Sequence, residues 1–290
     1  MNVHLFAIDP QNSFTDENTG TLYVPGGQDD MERLASFIAD AGSVLKKIHI
    51  TLDQHHTMDI SHPLWFVDDN GDEPPPFTIM RYDDGNDCFM GSIGPDYQTE
   101  RRYRTRKRGL HAYTKWYEQQ IASSGRYPHC IWPVHCEIGH EGSDIYPAVM
   151  EAAREWAEKN ASTINFVAKG SNPFTEHYSA VKAEVPLTNP QGNIPADPST
   201  GINTPLIQTL ETADLILVPG EALSHCVANT IRDVIAEFGN PAYVKKLVIL
   251  TDCCSNVTGF ENLGEDFLKE GTDQGMQTMT CSDALAMLNI

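Results

Sequence analysis

The chain has 290 residues, 40% of them hydrophobic, and its 40 acidic residues against 20 basic ones give a formal net charge of -20. A field of that sign repels phosphate backbones and anionic bilayers, which excludes general nucleic-acid and membrane binding and leaves small-molecule chemistry. The apolar content suffices for a complete core in one large or two medium domains.

From the N-terminus, "MNVHLFAIDPQNSF" has no basic region before its apolar run and meets Asp9 too early for a signal peptide. No run reaches transmembrane length, so a cytoplasmic protein is expected. Val3–Ile8 is the first strand-sized apolar run. Met31, Leu34, Phe37, Ile38, Ala41 and Leu45 then form a helical stripe, entered through Asp29 with Glu32 three residues on, a variant of the capping box.

Further strands are expected at Ile48–Leu52, Ile164–Ala168, Leu215–Val218, Leu247–Thr251 and Met276–Met279, apolar on both faces as buried parallel strands are. Val227, Ile231, Val234, Ile235 and Phe238 make a second helical stripe, stopped by "GNP" at Gly239–Pro241. Strands alternating with helices predict a doubly wound α/β/α fold with a mainly parallel sheet.

The stretch from about Pro63 to Cys130 breaks the rhythm and is read as an insertion on a single domain spanning residues 1–290. Its basic run, "RRYRTRKR" at Arg101–Arg108, is expected to be a solvated face in so acidic a chain. Leu187–Gly201 reads as a long loop able to cover a site. The seven cysteines lack the dense spacing of a secreted disulfide scaffold and are read as reduced.

Ligands in a doubly wound sheet bind beyond the carboxyl ends of the strands. Asp9, Asp53 with His55, Lys169, and the Gly220–Cys226 turn each directly follow a predicted strand and so meet at one rim. Asp53, His55 and His135 of "WPVHC" can share one ion, with His56 and His62 nearby. Imidazole and carboxylate donors suit zinc, iron or manganese. A thiol at the start of a helix, with Lys169 as neighbouring cation, is expected to have a lowered pKa, and Asp9 can act as base and then acid. Read singly, Asp9 is a turn cap, Lys169 a surface charge and Cys226 a core residue.

"FAIDPQNSF", "DQH" at Asp53–His55, "WPVHC" at Trp132–Cys136, "AKG" with "EHYSA" between Ala168 and Ala180, and "VPGEALSHCV" at Val218–Val227 resemble the isochorismatase-like cysteine hydrolases, and within them the nicotinamidases. The resemblance implies an Asp9–Lys169–Cys226 triad and an oxyanion hole of Ala222 and Cys226 N–H groups beside a cis Glu221–Ala222 peptide. It also implies a divalent metal on Asp53, His55 and His135, zinc first with iron or manganese as alternatives, and an aromatic pocket of Phe14, Trp132 and Tyr178.

The implied activity is hydrolysis of nicotinamide to nicotinate and ammonia through a Cys226 thioester, which belongs to NAD metabolism. The expected partners are a small amide substrate and further copies of the chain in a homo-oligomer. The sequence departs from the resemblance at Ser61, where a fourth ligand histidine is usual and His62 follows one position later. It departs again at Glu221, usually aliphatic, and at Leu223–Ser224, usually Thr-Asp. Alternatives are hydrolysis of another amide, carbamoyl or ureido compound, a zinc hydrolase in which water attacks and Cys226 is structural, and an inactive binding or assembly protein on the same fold.

Overall fold

The computed structural model describes residues 1–94, 98–124 and 126–290. In chain order the strands are β1 (Val3–Ala7), β2 (Leu45–Asp53), β3 (Phe66–Val67), β4 (Thr78–Asp83), β5 (Cys88–Ile93), β6 (Thr99–Thr105), β7 (His129–Ile131), β8 (Asn165–Lys169), β9 (Leu215–Val218), β10 (Leu247–Leu250) and β11 (Gln277–Met279). The helices are α1 (Asn12–Thr15), α2 (Gly27–Ala41), α3 (His111–Ser124), α4 (Pro147–Asn160), α5 (Thr204–Glu211), α6 (Ala228–Glu237), α7 (Glu261–Asp273) and α8 (Cys281–Leu288).

All six predicted strands belong to one parallel sheet, ordered β11-β10-β9-β1-β2-β8. Side chains alternate across it. Val3, Leu5 and Ala7 of β1 pack with Met31, Leu34 and Phe37 of α2, Trp156 of α4 and Ala284 of α8. Phe6 and Ile8 face the opposite layer, with Leu206 of α5, Ile231 and Val234 of α6, and Phe267 of α7. Two helical layers around one sheet make the α/β/α sandwich that the alternation predicted.

Three local expectations change. The central strands β1, β9 and β10 are buried throughout, but β8 and β11 are edges and are not apolar on both faces, with Phe166 47% exposed. Leu45 leaves the helical stripe and opens β2. α2 has no capping box at Asp29: its N-cap is Gly26 at φ 97°, a left-handed geometry that favours glycine. Asp29 and Asp30 instead occupy the first turn.

The stretch between Pro63 and Cys130, irregular by pattern, builds most of a second sheet, ordered β3-β6-β5-β4-β7 and antiparallel throughout. Trp65, Phe89, Tyr103, Tyr113 and Tyr117 form its core with α3. Arg101, Arg102 and Arg104 of the basic run are exposed on β6, and Arg106 pairs with Glu73 at 2.5 Å. The Leu187–Gly201 loop packs on this unit through Leu187 and Ile194. β7 leads directly into "WPVHC". Among the described residues no helix is long and apolar enough to cross a membrane.

Candidate active site

Strand register assembles the site. The β2/β8 ladder pairs Asp53 with Lys169, and Ile8 at the end of β1 bridges to Gly220 after β9. Gly220 has φ 136°, and a Cβ there would fall 2.0 Å from the Ile8 carbonyl oxygen, so this crossing admits only glycine.

Lys169, predicted as one of the triad, is buried. Its Nζ lies 2.9 Å from Asp9 Oδ2 and 2.9 Å from Asp53 Oδ1, 2.8 Å from the His177 carbonyl and 3.5 Å from Cys226 Sγ. Burial works against this ammonium, but Asp53 and Asp9 outweigh it and hold its pKa well above the ordinary lysine value. Asp9 has φ 43°, rare for a non-glycine residue. Its backbone N–H donates to Thr51 Oγ1 at 2.9 Å, and that hydroxyl donates back to Asp9 Oδ1. Burial raises the Asp9 pKa against the pull of Lys169.

The state of Cys226 differs from expectation. Sequence suggested a thiol with lowered pKa, but burial raises it well above the ordinary cysteine value and outweighs Lys169. Burial thus favours the neutral thiol at rest. Cys226 lies in the π-helical turn Leu223–Val227 that leads into α6. The Glu221–Ala222 peptide is cis. The Ala222 carbonyl accepts from the N–H groups of His225 and Val227 at 3.0 and 3.1 Å.

The unusual turn residues make their own braces. Glu221 is buried, and its Oε2 accepts from Ser255 N–H at 3.1 Å. Burial, reinforced by Asp30, pushes its pKa well above the ordinary range, so it is a neutral acid. Ser224 Oγ accepts from Val257 N–H at 3.1 Å. Leu223 N–H donates to the Ser255 carbonyl at 2.8 Å and Gly220 N–H to the Cys253 carbonyl at 2.9 Å.

Beside the triad, the ligand atoms of Asp53, His55 and His135 lie within 4.8 Å of one another. Asp53 Oδ2 is 3.0 Å from His55 Nε2 and 3.4 Å from His135 Nε2. The outward nitrogens are held as metal-bound imidazoles require: His55 Nδ1 is 3.1 Å from Asp59 Oδ2, and His135 Nδ1 is 2.8 Å from the Pro133 carbonyl. With each Nδ1 directed to these acceptors, both Nε2 atoms face the Asp53 carboxylate and call for a cation there, a proton or a metal ion. The donor set therefore fits a divalent metal.

His62 adjoins this set, with its ring 5.0 Å from that of His55. Its Nε2 approaches His135 Nδ1 at 3.4 Å and not the Asp53 carboxylate. Ser61 supports Asp59, donating to Oδ1 from its N–H and its hydroxyl at 3.1 and 2.9 Å.

An apolar cavity runs from this polar end, lined by Phe14, Trp132 and Tyr178 together with Leu22, Ala222 and Val257. Trp132 Nε1 donates to the Tyr178 hydroxyl at 3.1 Å. Cys226, Asp53 and His135 close the polar end.

Sequence reasoning missed three contributors. Glu176 lines the same cavity and is 5% exposed. Its Oε1 accepts from His177 N–H at 2.8 Å, while Oε2 has no hydrogen-bond partner among the described residues. Its position inside the "EHYSA" motif was the available signal. His225 lines the cavity beside Cys226. Gln11 holds the Asp53 backbone, donating to its carbonyl at 2.8 Å and accepting from its N–H at 2.7 Å.

No family model and no curated protein matches the chain, but solved structures do. Yeast nicotinamidase aligns at 19% identity over 96% of this chain and 99% of its own, with a TM-score of 0.59. A nicotinamidase/pyrazinamidase from Acinetobacter baumanii aligns at 18% identity over 98% of both chains, with a TM-score of 0.60. A pyrazinamidase from Pyrococcus horikoshii, solved in complex with zinc, aligns at 16% identity over 97% of this chain and 99% of its own, with a TM-score of 0.52. The chain shares the fold of these structures over nearly its whole length.

Proposed function

We propose that the chain is a metal-containing cysteine amidohydrolase whose substrate is nicotinamide. The observation that carries this reading is one buried ammonium, Lys169, in contact with Asp9, Asp53 and Cys226 at once. That arrangement gives a thiol a base to receive its proton and a fixed positive charge that favours the thiolate. The aromatic cavity and the similarity to nicotinamidase and pyrazinamidase structures support a flat heteroaromatic amide as substrate.

In this mechanism Asp9 takes the Cys226 proton, and the sulfur attacks the carboxamide carbon. The developing oxyanion is held by the N–H groups of Ala222 and Cys226, placed before the reaction starts. Asp9 then returns the proton to the amine, the C–N bond breaks and ammonia leaves. Asp9 next deprotonates a water that cleaves the thioester and releases nicotinate and free Cys226. Lys169 keeps its proton throughout. Asp53, His55 and His135 would hold a divalent ion, and such an ion would supply a Lewis acid for the ring nitrogen of the substrate.

The test is ammonia release from nicotinamide by wild-type and Cys226→Ala protein, with metal content measured on the same samples. The expected result is turnover by the wild type that the substitution abolishes with metal unchanged. Turnover that survives without the thiol overturns the mechanism, and an inactive, metal-loaded wild type overturns the substrate.

A further inference from the structure

A second reactive cluster lies behind the site, on the α2 side of the sheet. Cys253, just after β10, and Cys281, the first residue of α8, face each other with Sγ atoms 3.1 Å apart. The chain between them includes α7 and β11, so the sheet and not local sequence brings the sulfurs together. Asp252 Oδ1 accepts from Cys281 N–H at 2.8 Å and fixes the start of α8. The adjacent Cys254 is no competitor, since its Sγ approaches the Val218 carbonyl at 3.8 Å and it packs with the opposite helical layer.

The separation decides between two chemistries. Asp252, Cys253 and Cys281 have the residue types of a metal site, but two thiolates on one tetrahedral zinc, at roughly 2.3 Å each, stand about 3.8 Å apart. At 3.1 Å the sulfurs are closer than a shared zinc places them, are joined by a thiol–thiol hydrogen bond, and are near enough for a direct bond.

We propose that Cys253 and Cys281 form a thiol–disulfide site that a peroxide oxidises, joining the end of β10 to α8. Cys281 is 9% exposed against 0% for Cys253, and its neighbours Ser282 and Asp283 are exposed, so of the two it lies nearer the surface from which a small oxidant arrives. The hydrogen bond to Cys281, together with burial, keeps Cys253 protonated. Cys281 loses its proton and its sulfur attacks one peroxide oxygen; the O–O bond breaks, and the departing hydroxide takes that proton to become water. Cys253 then attacks the sulfenic sulfur of Cys281, the S–S bond forms, the S–O bond breaks, and the Cys253 proton leaves with the hydroxide as a second water. The two sulfurs lose two electrons and hydrogen peroxide gains them.

The bond reaches the catalytic turn through one hydrogen bond, from Gly220 N–H to the Cys253 carbonyl at 2.9 Å. The cross-link therefore anchors the backbone behind the Ala222 and Cys226 donors without touching Cys226. It stands independently of the proposed amidase activity, because it is read from the covalent state of the two cysteines.

Reduced full-length protein is titrated with hydrogen peroxide, its free thiols are blocked in denaturant, and the peptides are mapped by mass spectrometry, with zinc content measured in parallel. The expected result is a linked Cys253/Cys281 peptide pair lighter by two hydrogens and restored by dithiothreitol. The Cys281→Ser variant then leaves Cys253 as a blocked thiol. Recovery of both cysteines as thiols, their conversion to sulfinic acids without a link, or linkage of either to another cysteine overturns the proposal. So does zinc that Cys281→Ser removes and Cys226→Ala does not. If the variant misfolds, the wild-type peptide map alone decides.

Discussion

Asp53 Oδ1 lies 2.9 Å from Lys169 Nζ, across the ladder that pairs the two residues on neighbouring strands. The other oxygen of the same carboxylate faces His55 and His135. One side chain thus joins the Asp9–Lys169–Cys226 cluster to the candidate metal ligands. Burial alone would neutralise it, but His55 and Lys169 hold its pKa well below the ordinary carboxylate value.

Asp53→Asn is therefore expected to lose metal and to slow turnover by at least about 100-fold. His135→Ala is expected to lose metal while leaving the Lys169 contacts in place. Metal-to-protein ratios and kcat of both variants check this. An Asp53→Asn protein with wild-type metal content would contradict the assignment.

Lys169→Met leaves Asp9 and Asp53 buried without their shared counter-charge. Breaking a buried ion pair from one side costs about 3–5 kcal/mol, so the variant is expected to be inactive and less stable by that order. Urea unfolding at neutral pH measures it. Equal stability would mean that one of the two carboxylates takes up a proton instead.

Glu184 gives the clearest pH signature. Burial raises its pKa from 4.5 to about 7 despite Arg126, with Asp233 and Glu176 adding to the rise. Between these pH values the folded chain keeps a proton that the unfolded chain releases, so stability falls as pH rises and levels off above about 7. The shift corresponds to about 3 kcal/mol. Glu184→Gln, which keeps a side-chain oxygen for Arg126, is expected to flatten that part of the profile in unfolding measurements from pH 4.5 to 8.

Trp132→Ala removes a wall of the cavity and the hydrogen bond to Tyr178. A cost of about 3–5 kcal/mol in stability is expected, with KM for the amide rising more than kcat falls. Tyr178→Phe deletes only the hydroxyl and is expected to cost about 1 kcal/mol. Thermal melting and steady-state kinetics separate the two.

Much of this was legible in the residues alone. Apolar runs marked all six strands of the parallel sheet, most clearly β1, β9 and β10, where burial on both faces leaves a local pattern, and less so the exposed edges β8 and β11. Asp9, Asp53, Lys169 and Cys226 each followed such a run, and the topology of a doubly wound sheet brings strand ends to one rim. β6 escaped notice because Arg101, Arg102 and Arg104 surround its single buried aromatic, Tyr103. Its apolar face is completed by β5 and α3, not by its own neighbours in sequence.

By itself the sequence determined the fold class, through periodicity, and marked most of the candidate site residues, through what stands next to a strand. Only the tertiary structure decided their states. It made Cys226 a neutral thiol and Glu221 a neutral acid, turned Glu176 into the cavity and set Cys253 against Cys281. Desolvation and charge pairing sum over groups far apart in the chain, so no local window contains them.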